Sequence, residues 1–383
     1  MANPLLRLAL FICIALAATV APAHKASDSY LSVTVSDAGV QGQWDIALRD
    51  LDYAIGVDAD DNGEITWGEV KARQQEIAAY AMARLSIKAE GGVCPLKVTE
   101  QLVDEHSDGA YAVLRFVAGC AANPRSLELT SLEMTYQLFF DIDPQHRGLL
   151  RLQNTEQTQI TIFSPEAITK RFELVGKGSS LQQFLAYTKE GIWHIWIGFD
   201  HVLFLVSLLL PAVLVLSNKS WQPAARFGGA FLDVLKVVTA FTAAHSITLS
   251  LAALEVVSLP SRLVESLIAL SVVLAALNNL YPLVHRRRWV VAFAFGLIHG
   301  FGFASVLVDL GLPKWALLSA LLGFNVGVEI GQAAIVAVVL PLTFALRATW
   351  LYRTVVLRVG SWLIVAIAAL WFAERAFNLS LIG

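Results

Sequence analysis

The residues with the most chemistry in them lie where charge is least welcome. His194, Asp200, His201, His245, His299 and Glu329 all fall inside long apolar runs. An ionisable side chain is costly in hydrocarbon, so such groups should face an interior site. Imidazole nitrogens and carboxylates together suit borderline divalent ions such as Ni2+, Co2+, Zn2+ and Cu2+. Ca2+ and Mg2+ would call for oxygen donors alone. Met1, Met82 and Met134 are all remote from the apolar runs, which disfavours a thioether path for Cu(I). Thr242, Glu265, Asn325 and Gln332 lie in the same runs and are candidates to support the ligands. Each histidine alone could instead make an interhelical hydrogen bond; the group together points to an ion.

A second set of ligand types is made of oxygens. The stretch from Asp58 to Glu69 matches the twelve-residue EF-hand loop, with Asp58, Asp60, Asn62 and Glu69 at positions 1, 3, 5 and 12. Gly63 falls at the sharp turn, Glu64 offers its backbone carbonyl, and Ile65 takes the apolar position. Residues 67–85 would form the exiting helix. Calcium is the expected ion, in a structural role, since one such loop does not make a paired sensor. The cluster Asp141-Ile-Asp143-Pro-Gln-His146-Arg147 reads first as an Asp-Pro turn, with a ligand loop or a contact to the membrane part as the alternative.

Six apolar runs must position the first set: 191–216, 237–256, 263–284, 289–308, 315–343 and 355–377. Each approaches or exceeds the roughly 20 residues that cross a bilayer. His194 and His201 are seven apart, which puts them on one face of a continuous helix. Gly323, Gly327 and Gly331 make a close-packing stripe, and Asn325 and Glu329 are offset to the opposite face. Thr239, Thr242, His245 and Ser246 make one polar strip, while Gly296 and Gly300 beside His299 admit a neighbouring helix.

The rest of the chain is a different body. Of 383 residues, 56% are hydrophobic, yet positions 1–190 hold 24 acidic and 16 basic residues while 191–383 hold only 7 and 12. An acidic soluble part joined to a membrane part excludes a wholly cytosolic enzyme, a disordered chain and a fibrous protein, and gives no basic stripe for nucleic acid. Arg7, the apolar run 8–18 and Ala21-Pro22-Ala23 read as a signal peptide over 1–23, or as an uncleaved anchor. Cleavage there would leave His24 as the terminal residue, where amine and imidazole could chelate a metal. Cys13 would leave with the signal, and Cys94 and Cys120 remain as one expected disulfide in an oxidising compartment. Alternating apolar and polar residues at 30–48 (around a turn at 37–39), 83–89, 111–117, 126–132, 147–153 and 157–163 predict a β-sandwich. If that domain is exported, the inward loops carry nine Lys and Arg (Lys219, Arg226, Lys236, Arg286, Arg287, Arg288, Arg347, Arg353, Arg358). The outward loops carry three, Arg262, Lys314 and Arg375. His285 beside the inner arginines reads as interface charge.

The run His194-Ile-Trp-Ile-Gly-Phe-Asp200-His201, an H-x5-D-H pattern, resembles the first-span signature of the HupE/UreJ family of nickel and cobalt permeases. Phe241-Thr242-Ala-Ala-His245-Ser246, Phe295-Gly296-Leu-Ile-His299-Gly300 and Phe324-Asn325-Val-Gly-Val-Glu329 resemble later signatures of its longer branch, over about 185–375. The resemblance implies divalent-metal transport, with His194, Asp200, His201 and His299 as metal contacts, and an exported N-terminal domain. The chain departs from the fourth-span F-H-G-x-A-H-G-x-E pattern: aligned on His299, the first His is Phe295 and the Glu is Gly302. Glu329 and His245 are the candidates to replace them.

The expectation is therefore an α-helical membrane bundle of six spans (181–383) preceded by a β-rich exported domain (24–180) with one EF-hand-like insertion. It would lie in a bacterial cytoplasmic membrane, with the domain and the C-terminus outside and the lipid bilayer and metal ions as partners. It would pass Ni2+ or Co2+ without a nucleotide-binding loop. An intramembrane metalloenzyme, a haem-binding protein and a metalloenzyme assembly factor are the alternatives.

Overall fold

The computed structural model describes residues 27–36, 39–90, 92–106, 109–120, 129–154, 158–174, 180–217, 220–284, 287–304, 314–377 and 379. The expected signal segment, His24, His285 and parts of the 37–39 turn and the 126–132 strand lie outside them.

The N-terminal region is β-rich. Strands β1 (Asp28–Ser36) and β2 (Gly39–Ala47) form the expected hairpin, with Ser36 opposite Gly39. There follow helices α1 (Leu48–Ile55), α2 (Trp67–Ala72) and α3 (Gln74–Met82), then β3 (Leu85–Ala89), β4 (Gly92–Cys94), β5 (Leu96–His106), β6 (Gly109–Ala118), β7 (Ser131–Tyr136), β8 (Arg147–Gln153), β9 (Thr158–Phe163) and β10 (Thr169–Glu173). One sheet runs β5-β6-β2-β1-β8-β9, with β1 and β8 parallel, and a second runs β10-β7-β3-β4. Their inward residues, among them Leu31, Trp44, Ile46, Leu114 and Phe116 from one sheet and Ile87, Leu132 and Met134 from the other, share one core. Strand β5 escapes the alternation rule because it is an edge: its sequence LKVTEQLVDEH is almost wholly exposed or half-buried. Cys94 and Cys120 are joined in a disulfide.

The helical region holds α4 (Ser180–Ile197), α5 (Phe199–Leu209), a short 3-10 turn (Leu210–Val213), a hairpin of β11 (Leu214–Ser217) and β12 (Ser220–Pro223), α6 (Phe227–Ala253), α7 (Ser261–Leu280), α8 (Arg288–His299), α9 (Lys314–Leu346), a π-helical segment (Tyr352–Val359) and α10 (Gly360–Phe377). Among the described residues four helices are long and apolar enough to cross a membrane, or five if the bent pair α4 and α5 counts as one. Two expected spans differ from the reading of one unbroken helix each. The first starts earlier, at Ser180, and bends by 70° at Gly198. The fourth is a helix of 12 residues that stops at His299.

Glycine sets the closest helix contacts. A Cβ at Gly327 of α9 would land on the Thr188 carbonyl of α4, and one at Gly323 would meet Phe184 O. Gly296 of α8 and Gly300 just past its end lie equally close to the α6 backbone at Phe241 and His245. The bundle and the β region touch where Phe303, together with Ile160 and Ile162, packs against the cluster of Tyr30, Ala47, Tyr111 and Leu149, and where Arg147 lies 5.7 Å from the Trp193 ring centroid.

Candidate metal centre

The 70° bend at Gly198 builds the centre. On a straight helix, seven residues would separate His194 and His201 by about 10 Å. Across the bend their ring centroids are 4.6 Å apart. A Cβ at position 198 would crowd His194 O and His201 Nδ1, so glycine permits the turn. The structure brings the two histidines together across a broken helix, and not on the shared face of a continuous helix that their spacing predicts.

Helices α6 and α8 add the other two rings. His245 lies 6.4 Å from His194 and 6.5 Å from His201, and His299 lies 4.9 Å from His201, between centroids. His194, His201 and His245 each present a ligand atom, all within 4.8 Å of one another. Bonds of about 2.0–2.1 Å to a tetrahedral ion place nitrogens about 3.4 Å apart, so small side-chain rotations would close the ring. His201, His245 and His299 are buried, and Phe204, Phe241, Phe303 and Phe324 pack around the rings. Such an apolar wall keeps water out and strengthens any charge interaction inside.

The hydrogen bonds leave the inner nitrogens bare. His201 Nδ1 is 2.9 Å from Asp200 Oδ1, and that oxygen also accepts from the His201 backbone N–H at 2.8 Å. His299 Nε2 is 2.9 Å from Ser271 Oγ. His194 Nε2, His201 Nε2, both nitrogens of His245 and His299 Nδ1 are buried without a hydrogen-bond partner. Five such nitrogens in one chamber are expensive unless something else binds them.

The remaining candidates divide. Asp200 stands behind His201, orienting its ring in the carboxylate–imidazole manner that metal sites use. Asn325 is near His245 but spends its amide on Leu321 O at 2.8 Å. Thr242 donates to Gln332 Oε1 at 3.1 Å, tying α6 to α9. Glu329 is away from the four rings: it accepts from Thr239 at 3.2 Å, six residues or about 9 Å before His245 on α6. It opens instead onto an apolar groove with Phe227, Phe231 and Leu235. Glu265 accepts from Ser261 at 2.8 Å, outside the chamber. Two partners went unread in the sequence. Ser271 looks like one more small residue in an apolar run. Arg375, counted only as loop charge, reaches Asp200 Oδ2 at 3.6 Å.

The EF-hand-like stretch runs between α1 and α2. Gly63 has φ of 82°. Asp58 Oδ2 accepts from Gly63 N at 2.7 Å, Asn62 Oδ1 from Glu64 N at 2.7 Å, and Glu69 from Ala59 N and Thr66 N at 2.9 and 2.8 Å. The Gly63 amide holds the Asp58 carboxyl below its usual range, and Thr66 does the same for Glu69. Asp58, Asp60 and Glu69 converge, each offering one oxygen within 4.8 Å of the others, and Asp58 Oδ1 is buried without a hydrogen-bond partner. The Asp141–Arg147 cluster is a turn exposed at Asp141, Ile142 and Pro144 and buried at His146 and Arg147: His146 Nδ1 meets Ser27 Oγ at 2.6 Å, and its Nε2 meets the Tyr136 hydroxyl at 2.6 Å.

Apolar helices around a buried histidine chamber, joined to a β-rich region, define a multi-pass membrane protein. The chain belongs to the HupE / UreJ protein family, whose sequence model matches residues 170–375. No curated protein matches it.

Proposed function

We propose that this protein passes a divalent transition-metal ion, Ni2+ or Co2+ before the others, through the chamber of His194, His201, His245 and His299. The observation that carries the reading is the convergence of His194, His201 and His245, one ligand atom each within 4.8 Å of the others, in an apolar enclosure where five nitrogens of the four rings have no hydrogen-bond partner. Neutral imidazole is a borderline donor, which suits these ions and not Ca2+ or Mg2+. Family membership points the same way. Asp200 orients His201; Thr242, Gln332 and, further along α6 and α9, Thr239 and Glu329 offer oxygens for an ion leaving the chamber. The bundle would make six passes in a bacterial cytoplasmic membrane, with a signal peptide over 1–23 and the β region and C-terminus on the outer side. Inward movement of two charges across 100 mV releases about 4.6 kcal/mol, enough to drive uptake without a nucleotide.

The test is flux of Ni2+, Co2+, Zn2+ and Cu2+ into proteoliposomes holding the full chain, with metal analysis of the purified protein. Saturable flux of one ion, lost in His201→Ala while the protein stays folded, establishes transport. Tightly held metal without flux of any ion would overturn it in favour of a resident metal.

In the β region, Asp58, Asp60, Asn62, Glu69 and the Glu64 carbonyl would hold structural Ca2+, supported by the convergence of Asp58, Asp60 and Glu69 and by the partnerless Asp58 Oδ1. Calcium should raise the midpoint of thermal unfolding in the wild type and not in Glu69→Gln; equal midpoints with and without calcium in the wild type would remove that site.

A further inference from the structure

We propose that Arg375 is a positioning residue that keeps the histidine chamber a low-affinity site, so that its ion can leave; this rests on the metal-passage reading above. Asp200 is the anion nearest the rings, and its two oxygens are divided. Oδ1 faces His201 Nδ1 at 2.9 Å, and Oδ2 faces the Arg375 guanidinium at 3.6 Å. Both groups are half-buried: their side chains are 17% and 19% exposed. A divalent ion in the chamber therefore meets imidazoles and a fixed ion pair whose charges cancel, not a naked carboxylate. In a poorly screened interior, one fixed charge more or less at such a distance changes cation affinity by about tenfold or more.

The guanidinium is held in place. Arg375 Nη1 donates to the Glu265 backbone carbonyl at 3.4 Å, and its guanidinium carbon lies 5.9 Å from the Trp371 ring centroid. Arg262, one turn earlier on α7, donates to the Arg375 and Ala376 carbonyls at 3.3 and 2.6 Å. So α7 pins the end of α10, and α10 presents the positive charge to the back of Asp200. The division of labour follows. Asp200 keeps the His201 ring turned so that Nε2 looks inward, and Arg375 cancels the charge that this task requires. A site built only to retain a metal would have no use for the second group.

The experiment is isothermal titration of the full chain in detergent with Ni2+, Co2+, Zn2+ and Cu2+ separately, alongside proteoliposome flux. Arg375→Gln should lower the dissociation constant of the transported ion about tenfold or more and slow its maximal flux. Arg375→Lys, which keeps the charge, should restore both towards wild type. A packing role alone would loosen binding or leave it alone, never tighten it. Unchanged or weaker binding in folded Arg375→Gln overturns the inference. If that variant does not fold, Asp200→Asn decides: it leaves the cation facing the chamber, so binding must weaken about tenfold or more, and unchanged binding is the contrary result. The two readings fail separately. Wild type that binds none of the four ions overturns both. Wild-type binding that is lost in His201→Ala but indifferent to Arg375→Gln overturns this one alone.

Discussion

His146 in the β-sandwich and His245 in the helical bundle are equally closed to solvent, at 0% exposure. They are opposites in every other respect. His146 belongs to a chain of hydrogen bonds in which the Trp44 indole donates to Ser29 Oγ at 3.3 Å, and Ser29 and Tyr136 meet at 2.5 Å. Tyr136 and Ser27 take the two ring nitrogens, and Ser27 donates to Asp143 at 2.7 Å. Every member is satisfied, so the network fixes the fold and asks for nothing more. His245 has both nitrogens bare, three neighbouring rings each have one bare nitrogen, and two of those rings, His194 and His201, converge on it with a ligand atom each within 4.8 Å. Burial alone thus says little about a histidine's role; hydrogen-bond satisfaction separates a structural ring from one whose nitrogens are left open to a ligand.

The comparison breaks first on activity. His201→Ala should reduce metal flux by about a hundredfold or more, as loss of one of few ligands does, while thermal unfolding of the full chain changes little. The mirror experiment is His146→Ala, which should leave flux per folded molecule unchanged and cost about 3 kcal/mol in denaturant unfolding of the β region, because a cavity forms and Tyr136 and Ser27 lose partners. If His201→Ala proved the more destabilising of the two, the distinction between the rings would be wrong.

A third variant tests what holds the chamber together. Gly327→Ala should cost about 2 kcal/mol by thrusting a methyl group into the Thr188 carbonyl across the α4–α9 contact, and flux should fall with it because α4 carries His194. Gly228, at the exposed start of α6 with open space around it, is the matched control and should tolerate alanine.

How far these features could be read from residues alone follows from the range of each signal. The glycine stripe of α9 and the Gly296–Gly300 pair were legible, because a four-residue spacing is local and its packing consequence is generic. The strands with one buried face were legible for the same reason, while β5 was not, since an edge strand need not alternate. The four histidines were legible as a group from their cost in an apolar run. Their assembly was only half legible: a same-face argument assumes an unbroken helix, and the bend at Gly198 replaces it. Glu329 looked like a ligand by type and spacing, yet it pairs with Thr239 about 9 Å along α6, because depth depends on the register between two helices, which no single-helix pattern encodes. Arg375 was invisible for a like reason: its partner lies 175 positions earlier in the chain, and only the packing of α10 beside α5 joins them.

The smallest effect concerns pH and again sets the two regions apart. Burial among the rings of Tyr136, Phe139 and Phe140, with Arg147 adjacent, pushes the His146 pKa down to about 3 from an ordinary 6.5. The folded β region therefore keeps this ring neutral, while the unfolded chain binds a proton below about 6.5. Stability from this group is complete above pH 6.5 and is lost as pH falls towards 3, in proportion to the proton the unfolded state takes up. At pH 5.5 the loss is one unit's worth, about 1.4 kcal/mol. Denaturant unfolding of the full chain, followed through the near-ultraviolet signal of Trp44 and its neighbours, should show that decrement between pH 7.5 and 5.5, and His146→Gln should lose the part of the slope that this group supplies. The carboxylates Asp58 and Glu69, whose pKa values are held low, keep their contribution through this window, since a depressed carboxyl matters only below about pH 4. A slope that survived His146→Gln in full would place the proton uptake elsewhere, and the sandwich's buried ring would not be the group that the unfolded chain protonates.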